Sequence, residues 1–383
     1  AAPRVLRVRP DHLGDVLLSA PALAALRQAL PDARLEALVG PWGVDALAHC
    51  AALDDVRTLT FPGFARAAKG AVWAPYALLE RAAHDLRARQ YDAAVILRPD
   101  HWWGAALAAR AGIPLRIGYA LAPGAAALTH TLPVVAREHA VRSSWRLVRA
   151  TATLLGVGAP IAEDCAPATA HLRWAVAPGE RAAARAWLAA RDLGVSRAYL
   201  VAHPGAGATI KQWSAASWAR TLEHVVAARD LAIVLAGAPD EREQLRAIAA
   251  ALARWCPSHV YISEDGIGNY AALIAGARLM LGVDSGPLHL ATAVGTPTVR
   301  LYGPSDPAIF GPWGPPAQHL ALAADLHCAP CGRLDYARAE LPWHPCMALL
   351  TPAAVARAAL RVVDAASQRP LAVGSERDGW HNA

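Results

Sequence analysis

The first half of the chain alternates short apolar runs with segments whose apolar residues recur at helical spacing. Three apolar runs of strand length lie at residues 4–9, 34–40 and 93–98. The helical spacing predicts helices at about 16–30, 76–90 and 103–111. This alternation is typical of a parallel sheet covered by helices.

The second half repeats the same alternation after a predicted linker. An amphipathic segment at about 139–156 precedes a loop rich in Pro and Ala, residues 158–171. Beyond it, strands are predicted at 199–203, 231–237, 260–263, 279–283 and 296–303. Helices are predicted at about 179–191, 214–228 and 240–252, in a short segment before 279, and from 287 onward.

The pattern therefore predicts an α/β protein with two Rossmann-like, doubly wound parallel sheets. The predicted parts are an N-terminal domain at 1–160, a C-terminal domain at 175–350, a closing helix at 351–368 and a frayed tail at 369–383. A length of 383 residues suits two domains, with a cleft expected between them. Because 55% of the residues are hydrophobic and 18% are charged, both domains can bury large cores.

The formal net charge of +6 favours anionic partners. The basic residues are scattered along the chain, so nucleic acid is not supported as a partner. A phosphorylated small molecule or an anionic membrane surface fits such a moderate excess equally well.

We expect a cytoplasmic protein. No charged segment followed by an apolar one opens the chain, and Arg278 interrupts the longest apolar run. Six cysteines in 383 residues are too few for a secreted disulfide scaffold.

The segment VDSGPLHLATAVGTPTVRLYGPSDP, residues 283–307, carries the densest chemistry. An apolar run ends at Asp284, and Ser285 and Gly286 then open a predicted helix. His289 lies one turn further, so a carboxylate, a hydroxyl, backbone amides and an imidazole converge at a positive helix end, which suits a phosphate. The structural alternative is a capped helix start with a half-buried histidine.

Two further segments follow predicted strands. In RPDHLGDVLLSAPAL, residues 9–23, Asp15 opens a helix and is either a helix cap or a general base. In HPGAGATIKQWS, residues 203–214, Gly205 and Gly207 permit close approach of a ligand to the backbone, and Lys211 offers a point charge for a phosphate. The spacing of a Walker loop is absent.

These segments, together with LAGAPDERE, resemble glycosyltransferase family 9, the bacterial heptosyltransferases of lipopolysaccharide core assembly, over nearly the whole chain. The resemblance implies a GT-B fold, an acceptor bound mainly by the N-terminal domain and an ADP-sugar donor bound by the C-terminal domain. It implies inverting transfer of heptose, or a related sugar, to a saccharide or glycolipid acceptor such as lipopolysaccharide core, with peripheral contact at the inner membrane.

The resemblance also assigns roles to individual residues. Asp15 matches the catalytic base of the family, and His12 and Gly14 fall on the acceptor side. The donor-binding positions are Gly205, Thr209, Lys211, Asp284, Ser285, Gly286 and His289. The sequence contains no Asp-x-Asp triplet, so we expect no divalent ion on the diphosphate and no required cofactor.

Two alternative functions remain open at this point. GIGNYA, residues 266–271, fits a dinucleotide fingerprint and would indicate a nicotinamide-dependent oxidoreductase. A sugar-nucleotide binding module without catalysis would keep Lys211 and Asp284.

Cys328, Cys331 and Cys346, with His327 or His344, could hold a structural Zn or Fe or form a reduced thiol cluster. A related group of autotransporter heptosyltransferases binds iron at such cysteines. Trp42, Trp73, Trp102 and Trp103 lie in N-terminal loops or helix starts, where they could stack on sugars or simply pack.

Overall fold

The computed structural model describes residues 2–65, 71–156 and 158–367. The chain divides into two compact units, Ala1–Ala170 and His171–Ala383. The predicted frayed tail at 369–383, and residue 368 at the end of the predicted closing helix, lie outside the described residues. Each unit is built on one parallel sheet, so the predicted α/β class with two doubly wound sheets is confirmed.

The first unit has six parallel strands in the order β3-β2-β1-β4-β5-β6. The strands are β1 (Arg4–Arg9), β2 (Arg34–Val39), β3 (Asp55–Thr58), β4 (Ala93–Ile96), β5 (Leu115–Tyr119) and β6 (His130–Leu132). The helices are α1 (Leu13–Leu18), α2 (Ala20–Ala29), α3 (Ala74–Arg87), α4 (Trp102–Arg110) and α5 (Ala140–Leu155).

The alternation of side chains along β1 divides the core of this unit into two layers. Leu6 and Val8 belong to a cluster with residues of α3 and α4. Val5 belongs to a second cluster with residues of α2 and α5. Since successive strand residues point to opposite faces, helices cover both sides of the sheet.

The prediction of one helix at about 16–30 is wrong, because the segment forms two helices that meet at Ser19. The Ser19 hydroxyl donates to the carbonyl of Val16 at 2.6 Å, and the following helix has Pro21 in its first turn. Proline has no backbone N–H to continue the preceding helix, so the break occurs here.

The second unit also has six parallel strands, in the order β12-β11-β10-β7-β8-β9. The strands are β7 (Tyr199–His203), β8 (Ala232–Gly237), β9 (Ser258–Ile262), β10 (Leu279–Val283), β11 (Thr298–Tyr302) and β12 (His319–Ala323). The helices are α6 (Pro178–Ala189), α7 (Ala215–Ala228), α8 (Arg242–Leu252), α9 (Ile267–Ala275), α10 (Gly286–Ala293), α11 (Pro307–Phe310) and α12 (Pro352–Ser367).

Both sheets reverse their strand order at one point. In the first unit the chain builds outward from β1 and then restarts on its other side with β4, and in the second unit β7 and β10 have the same relation. In open α/β sheets, ligands bind beyond the carboxyl ends of the strands at such a reversal. The fold thus singles out the residues that follow β1 and β4, and those that follow β7 and β10.

No helix among the described residues combines the length and the apolar character needed to cross a bilayer.

Candidate functional site

An ion pair occupies the reversal point of the second sheet. Lys211 lies in a 3₁₀ turn, Thr209–Lys211, on the connection after β7, and Asp284 directly follows β10. The Lys211 Nζ atom is 2.6 Å from Asp284 Oδ2. The Lys211 side chain is 16% exposed and that of Asp284 is 9% exposed, so the pair is largely desolvated but still reached by solvent.

Beside this pair, α10 begins at Gly286 with Ser285 at its N-cap position. Ser285 does not cap the helix, contrary to the interpretation as a cap. Its hydroxyl oxygen is buried and has no hydrogen-bond partner in the described part of the chain. An unpaired buried hydroxyl next to the free N–H groups of a helix start is suited to bind an oxyanion.

Gly205 has a packing role that the sequence did not reveal. A methyl group at this position would overlap the carboxylate of Glu241. Glu241 also accepts a hydrogen bond from the Ala238 N–H at 2.8 Å. The LAGAPDERE segment therefore supports the loop after β7. Thr209, another predicted donor-binding residue, lies exposed on the 3₁₀ turn of this loop.

The reversal point of the first sheet carries a network of arginines and aspartates. Asp11 follows β1 and is buried, with its Oδ2 atom 2.8 Å from Arg9 Nε. Its other oxygen accepts from Arg98, which follows β4. Burial opposes ionisation of Asp11, but the two guanidinium groups outweigh burial and lower its pKa.

Asp15 lies in the first turn of α1, and its side chain is 31% exposed. Its Oδ1 atom is 3.1 Å from Arg9 Nη2, so Asp15 shares with Asp11 a single guanidinium. Desolvation and then the negative charge of Asp11 raise the pKa of Asp15 to about 6, against the opposing effect of Arg9 and Arg98. A carboxylate with this pKa is a stronger base than an ordinary aspartate.

The two predicted acceptor-side residues lie just before Asp15 in the chain. His12 is exposed at the N-cap of α1, with its ring centroid 5.1 Å from that of Trp42, and Gly14 lies within the helix. The indole N–H of Trp42 donates to the carbonyls of Pro10, at 3.0 Å, and Asp11, at 3.1 Å. Trp42 therefore fixes the loop that carries Asp11.

A cavity of about 420 Å³ opens next to Arg98 in the first unit. Tyr76 and Trp102, both substantially exposed, line it together with the buried His101. Neither ring nitrogen of His101 has a hydrogen-bond partner in the described residues. Trp103 is buried instead and donates to the Pro75 carbonyl at 3.2 Å, so its role is packing.

A known protein family accounts for most of the chain. The profile of Glycosyltransferase family 9 (heptosyltransferase) matches residues 79–339. The chain belongs to glycosyltransferase family 9.

The chain is also similar to individual bacterial heptosyltransferases. Lipopolysaccharide heptosyltransferase 1 of Salmonella typhimurium is 27% identical over 324 residues, which cover 81% of this chain and 92% of that protein. The enzyme of the same name from Pseudomonas aeruginosa is 34% identical over 134 residues, which cover 35% of this chain and 36% of that protein. The second match thus spans about a third of its relative's length.

Solved structures of heptosyltransferases share the fold. The E. coli ADP-heptose lps heptosyltransferase II matches with a TM-score of 0.69 at 20% identity, over 95% of this chain and 99% of that chain. E. coli heptosyltransferase WaaC with ADP-2-deoxy-2-fluoro heptose matches with a TM-score of 0.64 at 24% identity, over 92% and 98%. The predicted GT-B fold, with two Rossmann-like domains, is confirmed.

The dinucleotide fingerprint of this family 9 member is a coincidence of sequence. GIGNYA follows β9, which is the edge strand of its sheet rather than a strand at the reversal point. A methyl group at Gly268 would overlap the carboxylate of Glu180 on α6, so this glycine serves helix packing. A dinucleotide fingerprint binds its pyrophosphate beside a strand at the reversal point, so this position on an edge strand does not suit that role.

The cysteines do not fit a tetrahedral metal site. Cys328 and Cys331 are exposed, Cys331 Sγ lies 3.7 Å from the hydroxyl of Tyr336, and Cys346 is buried against Gly303. Within the described residues, no three metal-binding side chains come together. All three cysteines are free thiols in the structure.

Sequence reasoning missed several polar residues of the two sites: Arg9, Asp11, Arg98, Glu241 and Arg300. The signal available for Arg9 and Arg300 is a charged residue inside an apolar strand, as in RVLRVR and TVRLY. A charge at such a position is buried and must find polar partners.

Proposed function

We propose that this family 9 member is an inverting glycosyltransferase that moves heptose, or a related sugar, from an ADP-sugar to a saccharide or glycolipid acceptor such as lipopolysaccharide core. The observation that carries the proposal is the Lys211–Asp284 pair beside the unpaired Ser285 hydroxyl at the start of α10. The related E. coli enzyme binds an ADP-heptose analogue within the same fold.

On the donor side, the residues supply positive charge and hydrogen-bond donors for a diphosphate. The sugar–diphosphate bond breaks in the reaction, and negative charge develops on the leaving ADP. Lys211, the Ser285 hydroxyl and the Gly286 N–H are suited to stabilise this charge. Because the sequence lacks an Asp-x-Asp triplet, the proposal assigns this task to the protein groups and not to a divalent ion.

On the acceptor side, Asp15 is the proposed general base. It takes the proton from the acceptor hydroxyl while the hydroxyl oxygen forms its bond to the anomeric carbon and the bond from that carbon to the diphosphate breaks. Attack from the face opposite the leaving group inverts the configuration. The pKa of about 6 lets Asp15 be ionised at neutral pH and still accept a proton effectively.

We further propose that the acceptor sugar stacks on Tyr76 and Trp102 in the cavity of the first unit. Aromatic rings pack well against the apolar faces of sugars. A lipid-linked acceptor would place the basic protein at the inner membrane face, where anionic lipid attracts cations. Sedimentation with anionic vesicles should then show binding that salt reverses.

The central experiment separates donor binding from transfer. Calorimetry with ADP, UDP and GDP should show preference for ADP, and transfer should be assayed with ADP-heptose. Lys211→Ala should weaken ADP binding by about tenfold or more, since a charge-assisted bond to phosphate contributes about 1.5–3 kcal/mol. Arg220→Ala, which removes an exposed cation of α7, is the matched control and should leave ADP affinity unchanged.

Asp15→Asn should lower the transfer rate by about 10²–10⁴-fold and leave ADP affinity nearly intact, because only proton transfer is lost. Asp45→Asn, an exposed aspartate of the same unit, is the control. Near-normal transfer by Asp15→Asn would remove Asp15 as the base. ADP binding without turnover in the unaltered protein would instead indicate a binding module.

A further inference from the structure

A buried arginine lies directly behind the donor-binding histidine. Arg300 is in the middle of β11 and has no exposed surface. Its Nη1 atom is 3.1 Å from His289 Nδ1. Neither the motifs of the chain nor the proposed function gives this arginine a role.

Further hydrogen bonds hold the Arg300 guanidinium in one orientation. Nη2 donates to the carbonyl of Leu288 at 2.7 Å and also to the hydroxyl of Thr292. Nε donates to the hydroxyl of Thr298 at 3.3 Å. All of these acceptors are neutral, and two of them belong to α10, so Arg300 joins the helix to the sheet.

The contact with His289 determines where the imidazole carries its proton. A guanidinium has only N–H donors and no acceptor. His289 Nδ1 must therefore present its lone pair to Arg300, and a proton on this nitrogen would face another N–H. The ring is left neutral, with its hydrogen on Nε2.

We propose that Arg300 is a positioning residue that keeps His289 as the neutral Nε2–H tautomer, and so makes Nε2 a constant hydrogen-bond donor to the diphosphate of the donor sugar. This inference rests on the proposed function for the identity of the ligand. Under this proposal Lys211 supplies the positive charge for the diphosphate. His289 supplies an oriented N–H hydrogen-bond donor that is present without protonation of the neutral ring.

The first test is spectroscopic and needs no ligand. The full chain is labelled with ¹⁵N-histidine, and the signals of His289 are assigned by their loss in His289→Gln. We expect a neutral ring protonated at Nε2 in the unaltered protein. Protonation at Nδ1 would overturn the proposal, whether or not the protein binds ADP.

The second test asks whether the arginine acts through the histidine. Arg300→Met replaces the buried cation by an apolar side chain of similar length, and it leaves no buried charge without a partner because the acceptors of Arg300 are neutral. We expect both imidazole tautomers in its spectrum and ADP binding weakened by about tenfold. An unchanged Nε2–H tautomer with unchanged ADP affinity would contradict the proposal.

The third test is rescue by a conservative variant. The amide nitrogen of glutamine reaches about the position of His Nε2, and that of asparagine does not. His289→Gln should keep ADP affinity within about threefold, whereas His289→Asn should lose about tenfold. Equal losses in both variants would refute an Nε2 donor. Absence of ADP binding in the unaltered protein would instead refute the proposed function and leave the tautomer measurement valid.

Discussion

The basicity of Asp15 depends on how Asp11 engages the arginines around it. Asp11 contacts both Arg9 and Arg98, whereas Asp15 contacts Arg9 alone. Without Asp11, both guanidinium groups would be available to Asp15, and the nearby negative charge would be gone. Both changes favour the ionised carboxylate, so Asp11 keeps Asp15 a stronger base.

At this scale we predict that Asp11→Asn alters the pH dependence of transfer. In the unaltered protein, kcat/KM should fall about tenfold per pH unit below the Asp15 pKa of about 6. In Asp11→Asn this acid limb should move to lower pH by about one unit, and the rate at neutral pH should fall because the base is weaker. The measurement is a pH profile of kcat/KM between pH 4.5 and 8.

Asp100→Asn is the control for this profile. Asp100 also pairs with Arg98, at 2.6 Å from its Nε atom, but its side chain is 55% exposed and it does not contact Arg9. The acid limb of the kcat/KM profile of Asp100→Asn should stay at the same pH as in the unaltered protein. If the limb of Asp11→Asn also stayed in place, the proposed influence of Asp11 on Asp15 would be wrong.

The positions of individual site residues in the fold could be predicted where they belong to a sequence motif. Asp15, Lys211 and Asp284 each follow a strand within a recognisable segment, and the structure places them at the reversal points of the two sheets. Arg300 could not be assigned in this way, because its partners lie 2 to 12 residues away, on β11 itself and on α10. Only the packing of α10 on β11 brings them together.

At the scale of the elements, strand β2 contains a buried charged residue, which is unusual because burial disfavours an ionised side chain. Glu36 lies inside the strand with no exposed side-chain surface. It accepts from Arg34 Nε at 2.7 Å, from Arg89 Nη1 at 3.2 Å and from the hydroxyl of Tyr91. These donors outweigh the cost of burial and lower the pKa of the carboxyl.

We predict that Glu36→Gln destabilises the protein by about 2 kcal/mol, because a charge-assisted bond network is replaced by a neutral amide with fewer acceptors. Urea unfolding followed by circular dichroism measures the change. Glu80→Gln breaks an exposed pair with Arg110 and should cost less than about 0.5 kcal/mol. A loss of less than about 0.5 kcal/mol for Glu36→Gln would show that the buried network adds no more stability than an exposed pair.

Strands at the margins of the sheets escaped prediction from sequence. Those missed are β3, β5, β6 and β12, and the short helix α11 was missed with them. All four strands lie at or next to a sheet edge, and each has residues that are not buried, such as His130 and Thr131 in β6. Their sequences lack the continuous apolar run of a central strand, so hydrophobic patterning carries little signal for them.

At the scale of the whole molecule, the free energy of unfolding depends on pH because each unit contains a buried histidine that is neutral in the folded protein. Burial lowers the pKa of His101 in the first unit to about 4. Burial, with a smaller effect of Arg300, lowers the pKa of His319 in the second unit to about 3. Each ring takes up a proton more readily in the unfolded chain than in the folded protein.

We therefore predict that the protein loses stability below about pH 6.5, the ordinary histidine pKa. This contribution is fully present above that pH and is lost as the pH falls toward the folded-state values. Each histidine should reduce the free energy of unfolding by about 1.4 kcal/mol per pH unit in this range. Urea unfolding at several pH values between 4.5 and 7.5 measures the slope.

His319→Gln, which cannot take up a proton, should flatten the slope by the share of one histidine. His130→Gln, at an exposed position of β6, is the control and should leave the slope as it is. A slope that His319→Gln does not change would mean that this ring is not held neutral.

The general plan of two doubly wound sheets followed from hydrophobic patterning, but the order of the strands did not. Lys211 and Asp284 are 73 residues apart in the chain, and they meet because β10 pairs with β7. Patterning shows that both strands exist and are buried. It does not show which strands are neighbours, because any order of the same strands buries the same residues.

The Lys211–Asp284 pair also bears on how ligands arrive and leave under the proposed function. An incoming anion must compete with a carboxylate already bound to the ammonium, so a ligand with a single negative charge gains little by entering. A diphosphate brings enough charge to take the ammonium from Asp284. After the reaction, the Asp284 carboxylate competes with bound ADP for the Lys211 ammonium. This competition favours dissociation of the ADP product.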